Sequence, residues 1–138
     1  GMPLSVYCGK AAWMNHLEQA IVSSTYGGET LSLAAAKTVM NIYCTEPVVE
    51  HLWAIGKIMW SGMDALFRQY GIPAAMSGYF PMAFCRFSGE KDLPQRFAKA
   101  TCRHGVTFYN GGGYVNYSHS IHDIEEALKR VEKGLKEL

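Results

Sequence analysis

The feature that most constrains the fold is an apolar stripe with helical spacing over residues 48–67. Its members share one face of a helix: Val48, Leu52, Ile55, Met59, Met63, Leu66 and Phe67. Thr45 is the expected N-cap, and Pro47 lies in the first turn, where a proline is tolerated. Gly71 is expected to end the helix, and Pro73 prevents its continuation. The sequence therefore predicts one long amphipathic helix that must pack its apolar face against other elements.

Strands and helices follow this helix in a mixed order. Two strands, over residues 75–79 and 82–87, flank a short turn. A helix over residues 93–104 and a strand over residues 106–109 come next. The glycine-rich segment NGGGY, residues 110–114, is predicted to be a flexible loop.

The last predicted element is an amphipathic helix. Ser120 and Asp123 have the spacing of a capping box at its start. Its apolar stripe consists of Ile121, Ile124, Leu128, Val131, Leu135 and Leu138. Elements in this mixture pack as layers around one core, so we predict an α+β fold for residues 46–138.

The amino-terminal part of the chain is predicted to hold two apolar strands and two helices. The strands cover residues 4–8 and 20–24, and the helices cover residues 10–19 and 29–44. A lone pair of strands is only marginally stable in water. We therefore interpret these two strands as pieces of a larger sheet.

The stretch SSTYGGETLSLAAAK, residues 23–37, joins the second strand to an Ala-rich helix through a turn with two glycines. Because the first amides of a helix are unpaired and partly positive, such a turn can seat an anion, phosphate above all. The spacing is neither G-x-x-x-x-G-K-[ST] nor G-x-G-x-x-G, so it is no standard nucleotide motif. The alternative is a simple chain reversal in which Ser24 or Thr25 caps the helix.

Composition limits the class of protein and its partners. The chain has 138 residues, of which 49% are hydrophobic and 18% charged, so part of its apolar surface is expected to face a partner. A net charge of +1 gives no reason to propose nucleic acid or a membrane surface as partner. No apolar run approaches the ~20 residues needed to cross a bilayer, and the first residues lack the basic region of a secretory signal. The four separated cysteines are interpreted as reduced, mostly buried thiols, so a cytoplasmic protein is expected.

Few other residues suggest a catalytic or metal-binding role. His119 and His122 form an H-x-x-H pattern, but without a third ligand cluster nearby in sequence we predict capping and contact roles and no metal site. Cys102 and His104 share one helix end without an orienting third group. Arg86 is expected to form a salt bridge. Core or subunit contacts are expected for four large side chains, Trp53, Met59, Trp60 and Met63.

Three segments, GMPLSVYCGKAAWM, SSTYGGETLSLAAA and RHGVTFYNGGGYVNYSHSIHDIEEAL, carry a family resemblance. In this order they resemble the C-terminal third of class III pyridoxal-phosphate (PLP) aminotransferases, nearest to the glutamate-1-semialdehyde aminomutase-like branch. The second segment is similar to that family's [SG]-T-[FY]-G-G-[EN]-x-L-[SA]-x-A-A-A pattern. The resemblance implies an α+β (α/β) fold: residues 46–138 as the small domain of a fold-type I PLP enzyme, and residues 1–45 as the last strands and interface helix of its large domain.

The resemblance also assigns a cofactor contact to the glycine-bearing turn. In the family, this turn crosses a dimer interface and holds the phosphate of PLP bound mainly by the other subunit. The resemblance therefore implies that Thr25, Tyr26 and Gly27 contact the phosphate in trans, with Gly27 and Gly28 allowing close approach of the backbone.

The departures from the family pattern concern catalysis. In the family, the lysine that forms the Schiff base precedes the stretch that corresponds to residues 1–3. Lys10 and Lys37 fall where the family has surface or helix residues, so no catalytic residue is predicted and the chain alone is not expected to transaminate. The segment FYNGGGYVNYSHS has no arginine to clamp a substrate carboxylate, which leaves the substrate open beyond an amino-acid-like molecule.

Two hypotheses of function follow. In the first, the chain is the C-terminal portion of a class III aminotransferase or aminomutase, active with PLP only together with a complementing N-terminal portion. In the second, it is a non-catalytic dimeric module with a structural or interaction role. Both predict a homodimer, because unpaired apolar strand edges rarely stay free.

Overall fold

We describe the protein from a computed structural model. The structure describes residues 2–16, 19–20, 24–109 and 111–138. The chain divides into two compact units, Gly1–Glu46 and Pro47–Leu138.

The long helix predicted from the apolar stripe is present in the second unit as α3, Val48–Gln69, although its predicted cap is wrong. Pro47 holds the N-cap position and makes no side-chain capping bond. Thr45 cannot cap α3 because it is still helical, as the last residue of the preceding helix, and its hydroxyl donates to Asn41 O at 3.0 Å. At the other end Gly71 has φ +65°, and the N–H of Ile72 donates to Phe67 O at 2.9 Å, which confirms the predicted stop.

Three antiparallel strands form the sheet of the second unit, in the order β1-β2-β3. Strands β1, Ala74–Tyr79, and β2, Met82–Phe87, pair from Ala74↔Phe87 to Tyr79↔Met82, so a two-residue turn joins them as predicted. Strand β3, Gly112–Tyr114, pairs with the start of β2.

Two predictions for this region are wrong. Residues 106–109 are not a strand; only an isolated bridge joins Tyr109 to Gly112. Within the predicted loop 110–114, Gly112–Tyr114 is the third strand, and Asn110 lies outside the described residues. Gly112 is needed for pairing: a Cβ on it would lie 2.1 Å from Ala83 O on β2, so only a residue without a side chain lets the two backbones approach.

Helices α4, Leu93–Arg103, and α5, Ile121–Leu135, complete the second unit. Gly105 ends α4 as predicted, with φ +79°. The predicted capping box is confirmed, since Ser120 Oγ accepts from Asp123 N at 3.2 Å and the Asp123 carboxylate accepts from Ser120 N at 2.8 Å.

The hydrophobic core of the second unit lies between α3, α4, α5 and the sheet. Its centre contains the side chains that are buried almost completely: Ile55, Met63, Phe67, Phe97 and Val131. The rings of Phe67 and Phe97 meet edge to face with centroids 5.9 Å apart. The predicted core role of Met59, Met63 and Trp60 is confirmed, whereas Trp53 is exposed.

The first unit is largely exposed. It contains helix α1, Ala11–Met14, shorter than the predicted helix 10–19, of which residues 17 and 18 lie outside the described set. Helix α2, Thr30–Thr45, agrees with the prediction to within one residue. Of the part of this unit that the structure describes, only Ser32 is buried.

The predicted buried strand over residues 4–8 is wrong. These residues have no regular secondary structure, and the side chain of Val6 is 80% exposed. No described residue pairs with their backbone, and a strand needs such a partner for its hydrogen bonds. The second predicted strand, residues 20–24, falls mainly on residues 21–23, which lie outside the described set.

Three of the four cysteines contradict the expectation of mostly buried thiols. Cys8, Cys44 and Cys102 are exposed, and only Cys85 is buried. All four are free. Burial raises the pKa of Cys85 to about 12, so this thiol stays protonated and unreactive at neutral pH.

Among the described helices, none is both long enough and apolar enough to cross a membrane.

Candidate functional site

The predicted phosphate-binding residues lie in a tight double turn directly before α2. The N–H of Gly27 donates to Ser24 O at 3.5 Å, and the N–H of Glu29 donates to Tyr26 O at 3.2 Å. Gly28 has φ +74°, in the left-handed region where side chains are strained. The chain therefore reverses here by means of a glycine, as the sequence indicated.

The turn offers hydrogen-bond donors to solvent. Thr25, Tyr26, Gly27 and Gly28 are all exposed. Among the residues that the structure describes, none accepts a hydrogen bond from Thr25 or Gly28. With respect to the described residues, the Thr25 hydroxyl and the amides of Thr25 and Gly28 are thus available to a ligand.

The start of α2 itself is capped by a residue that the sequence analysis missed. The Glu29 carboxylate accepts from Leu31 N at 2.8 Å and from Ser32 N at 2.7 Å. The alternative in which Ser24 or Thr25 caps this helix is wrong, because Glu29 is the N-cap residue, in an extended conformation. Ser and Thr are the more usual cap residues, which is why the sequence pointed to them.

The charge of Glu29 is favoured by this position. The nearby Ser32 hydroxyl lowers the pKa of the carboxyl most, and the amides of Ser32 and Leu31 lower it further. The anion position at the helix N-terminus is therefore taken by the chain's own carboxylate, and an external anion is left with the donors of the preceding turn.

An open groove of about 700 Å³ lies beside the turn. It is lined by residues 3–7, residues 24–28 and Leu33. No lysine, arginine or histidine is among these lining residues, so the groove offers uncharged donors only. A phosphate dianion needs cationic or further donor groups for tight binding. The described residues of the turn therefore fit one part of a phosphate site.

Neither lysine of the first unit belongs to this groove. Lys10 is the exposed N-cap residue of α1, and Lys37 is an exposed residue of α2. Both positions agree with the surface and helix roles predicted for them.

The other candidate residues lie in the second unit and have structural contacts. The ring of His119 contacts Asn116, and His119 O accepts from the His51 ring at 2.9 Å. His104 Nε2 lies 2.7 Å from Glu137 Oε1. The described part of the chain contains no group of three possible metal ligands. The expected salt bridge of Arg86 is not among the ion pairs of the described residues.

No protein-family model matches the chain, whereas comparison with curated proteins finds similarity to transaminases. The 2'-deamino-2'-hydroxyneamine transaminase of Streptomyces kanamyceticus is 27% identical over 139 residues, which cover 100% of this chain and 36% of that protein. The 5-aminovalerate aminotransferase DavT of Pseudomonas aeruginosa is 25% identical, covering 98% of this chain and 33% of that protein. The chain thus spans about a third of the length of the curated relatives it matches.

Two solved structures are similar to this chain in fold. The FumI protein of Sphingopyxis sp. MTA144, in its PLP internal aldimine form, superposes with a TM-score of 0.82 at 20% identity, covering 94% of this chain and 32% of that one. An omega-transaminase from Sphaerobacter thermophilus superposes with a TM-score of 0.56 at 14% identity, covering 63% and 23%.

These comparisons confirm the predicted fold class. The mixed α+β domain, with its three-stranded antiparallel sheet and packed helices, matches the C-terminal part of a PLP transaminase fold. The resemblance is confirmed at the level of PLP-dependent aminotransferases. The aminomutase-like branch stays a prediction.

Proposed function

We propose that this chain is the C-terminal part of a PLP-dependent class III aminotransferase or aminomutase, of the glutamate-1-semialdehyde aminomutase-like branch, that acts on an amino-acid-like substrate in the cytoplasm. The observation that carries the proposal is the match to a transaminase along the whole chain, at 27% identity.

In this proposal the double turn holds part of the cofactor phosphate. The Thr25 hydroxyl and amide donate hydrogen bonds to it, and Tyr26 and Gly27 contact it through the exposed backbone of the turn. Support comes from the exposed position of these residues and from the absence of a described acceptor for Thr25. Bound PLP would supply an electron sink for the carbanion formed at the substrate's amino-bearing carbon. The task of this chain's residues is then to orient the cofactor.

The remaining phosphate ligands are proposed to come from a second subunit or from an N-terminal portion. The groove beside the turn offers no positive charge, which supports a site completed by another part of the assembly. The Schiff-base lysine is proposed to lie there as well, since neither Lys10 nor Lys37 lines the groove. The chain by itself is accordingly proposed not to transaminate.

Helix α2 supports a homodimer. Its large apolar side chains are exposed along its whole length: Leu31, Leu33, Val39, Met40, Ile42 and Tyr43. Lys37 is its only charged residue. A helix with so little polar surface is normally buried, so we propose that a second copy covers it.

A second candidate function rests on the same exposed surface. A non-catalytic dimeric module would use the apolar face of α2 for assembly and would have no use for the donors of the turn. The two candidates therefore differ in whether the turn binds phosphate.

The test is a titration of the full chain with PLP and, separately, with pyridoxal, which lacks the phosphate. Amide NMR signals of the turn should shift with PLP and not with pyridoxal. Thr25→Ala should weaken PLP binding several-fold, Thr25→Ser should retain it, and Thr38→Ala on α2 serves as the matched control. A PLP response that is unchanged by Thr25→Ala would refute the assignment, and a turn that responds equally to PLP and to pyridoxal would favour the non-catalytic module.

A further inference from the structure

The second unit contains a cavity that the proposed function does not use. Its volume is about 320 Å³, and it lies between α3, β3, the first half of α5 and residues 107–109. Ligand pockets in proteins commonly begin at roughly 300 Å³. A cavity of about half this volume already accommodates benzene. The space is therefore large enough for a substituted aromatic ring.

The wall of the cavity is mainly aromatic and aliphatic. Four aromatic side chains contribute to it: Trp60, Phe108, Tyr109 and Tyr114. The polar atom of Trp60 is already satisfied, because its Nε1–H donates to Phe80 O at 2.8 Å. The indole therefore presents ring carbons, and its π face suits a cation or another ring.

Among the described residues of the wall, Asp123 is the one that carries a carboxylate, and none is a lysine or an arginine. Asp123 Oδ2 accepts from Ser120 N at 2.8 Å and from Ser120 Oγ at 2.7 Å. Asp123 Oδ1 accepts from no donor among the described residues. The Ser120 hydroxyl and amide lower the pKa of this carboxyl, so it is ionised at neutral pH.

We propose that this cavity binds a small organic cation with an apolar body, of the arylalkylammonium or alkylammonium class. The apolar body packs among the aromatic side chains, and the ammonium group pairs with Asp123 Oδ1. Aromatic faces together with a carboxylate are the groups that recognise ammonium ions in water. The site uses none of the residues of the double turn, so it stands apart from the proposed phosphate contact.

Histidine protonation has to be controlled in the test. His119 also lines the cavity, and His122 lies near enough to Asp123 to lower the pKa of its carboxyl. A protonated imidazole beside the carboxylate would compete with a cationic ligand. Binding is therefore measured at about pH 8, above the ordinary range in which an imidazole side chain takes up a proton.

The experiment compares three probes of matched shape on the full chain by calorimetry or NMR: phenethylammonium, phenethyl alcohol and the anion hydrocinnamate. We expect the cation to bind about tenfold more tightly than the alcohol, and the anion to bind most weakly. Asp123→Asn should remove most of the preference for the cation, whereas Glu125→Gln, an equal charge change on the same helix outside the cavity, should leave it unchanged.

A second variant covers the case in which the loss of the Asp123 carboxylate unfolds α5. Ala127→Leu fills the cavity without touching the cap, and it should abolish binding of both the cation and the alcohol while the thermal unfolding midpoint is retained. Thr25→Ala should leave phenethylammonium binding unchanged, which separates this test from that of the proposed function. Equal binding of cation and alcohol, no binding at millimolar probe concentration, or binding unaffected by Ala127→Leu would overturn the proposal.

Discussion

At the scale of single residues, Glu29 has the most unusual role. Its carboxylate occupies the N-terminus of α2, a place where anions bind in many proteins. The folded chain lowers the pKa of this carboxyl below 4.5. The stabilisation is therefore complete above the ordinary pKa and is lost as the pH falls through the lowered pKa.

This linkage gives a prediction for acid titration. The amide NMR signals of Leu31 and Ser32 should shift with a midpoint below pH 4.5, because they report the protonation of Glu29. Glu29→Gln should remove this titration, while Glu50→Gln at the first turn of α3 should leave it in place. A midpoint at or above pH 4.5 would contradict the role of the carboxylate as cap.

Gly112 and Gly113 form a matched pair of neighbouring residues for a second prediction. A Cβ on Gly112 would lie 2.1 Å from Ala83 O, whereas on Gly113 the nearest atom is 4.0 Å away, on the Trp60 ring. Gly112→Ala should lower the free energy of unfolding by about 2–4 kcal/mol, and Gly113→Ala by roughly 1 kcal/mol or less. Urea denaturation of the two variants measures this difference. Equal losses would mean that β3 does not need the close approach.

The residue scale also shows the limit of sequence reasoning. Glycine in the segment NGGGY was interpreted as flexibility, because Gly normally weakens strands. The structure uses Gly112 to bring two backbones together. Only the register of β2 against β3 distinguishes these roles, and that register is a long-range property. The double turn at Thr25 could be predicted because its signal, paired glycines before a helix, is local.

At the scale of elements, helices were predicted best. Helices α3 and α5 could be predicted closely, apart from the N-cap of α3, because their apolar stripes and most of their end signals are local in the sequence. The buried strand predicted over residues 4–8 is absent, because a strand is stabilised by partners elsewhere in the fold. Apolar composition alone could not tell whether such partners are present.

Helix α2 carries the prediction at this scale. If a second copy covers its exposed apolar side chains, light scattering should give a dimer for the full chain. Met40→Glu should raise the dissociation constant by at least about tenfold, because a charge would be buried in the interface. Lys37→Glu introduces the same residue at the one position of α2 that is already charged, and it should have a much smaller effect. A clean monomer for the unmodified chain would contradict the dimer.

At the scale of the whole molecule, the two units differ in how many buried side chains stabilise them. Pro47–Leu138 contains the core of buried apolar side chains, whereas Ser32 is the one buried residue in the described part of Gly1–Glu46. Local opening is easiest where few apolar contacts hold the backbone.

We therefore expect hydrogen exchange to separate the two units. Amides of α3 and α5 should exchange at rates set by unfolding of the second unit, while those of α2 should exchange faster at the concentrations where the chain is monomeric. Raising the protein concentration should slow exchange in α2 and leave α3 unchanged, if a second copy covers α2. Equal protection of α2 and α3 in dilute solution would contradict this division.

The lack of charged residues among the described lining of the groove beside α2 predicts how salt affects phosphate binding there. The described residues that line it offer only neutral donors, so a hydrogen bond from Thr25 to a phosphate does not pair two opposite charges that dissolved salt could screen. If the proposed phosphate contact forms, the dependence of PLP affinity on salt should then come almost entirely from the groups proposed to complete the site. Substitution of Thr25 should lower the affinity by the same factor in dilute and in concentrated salt.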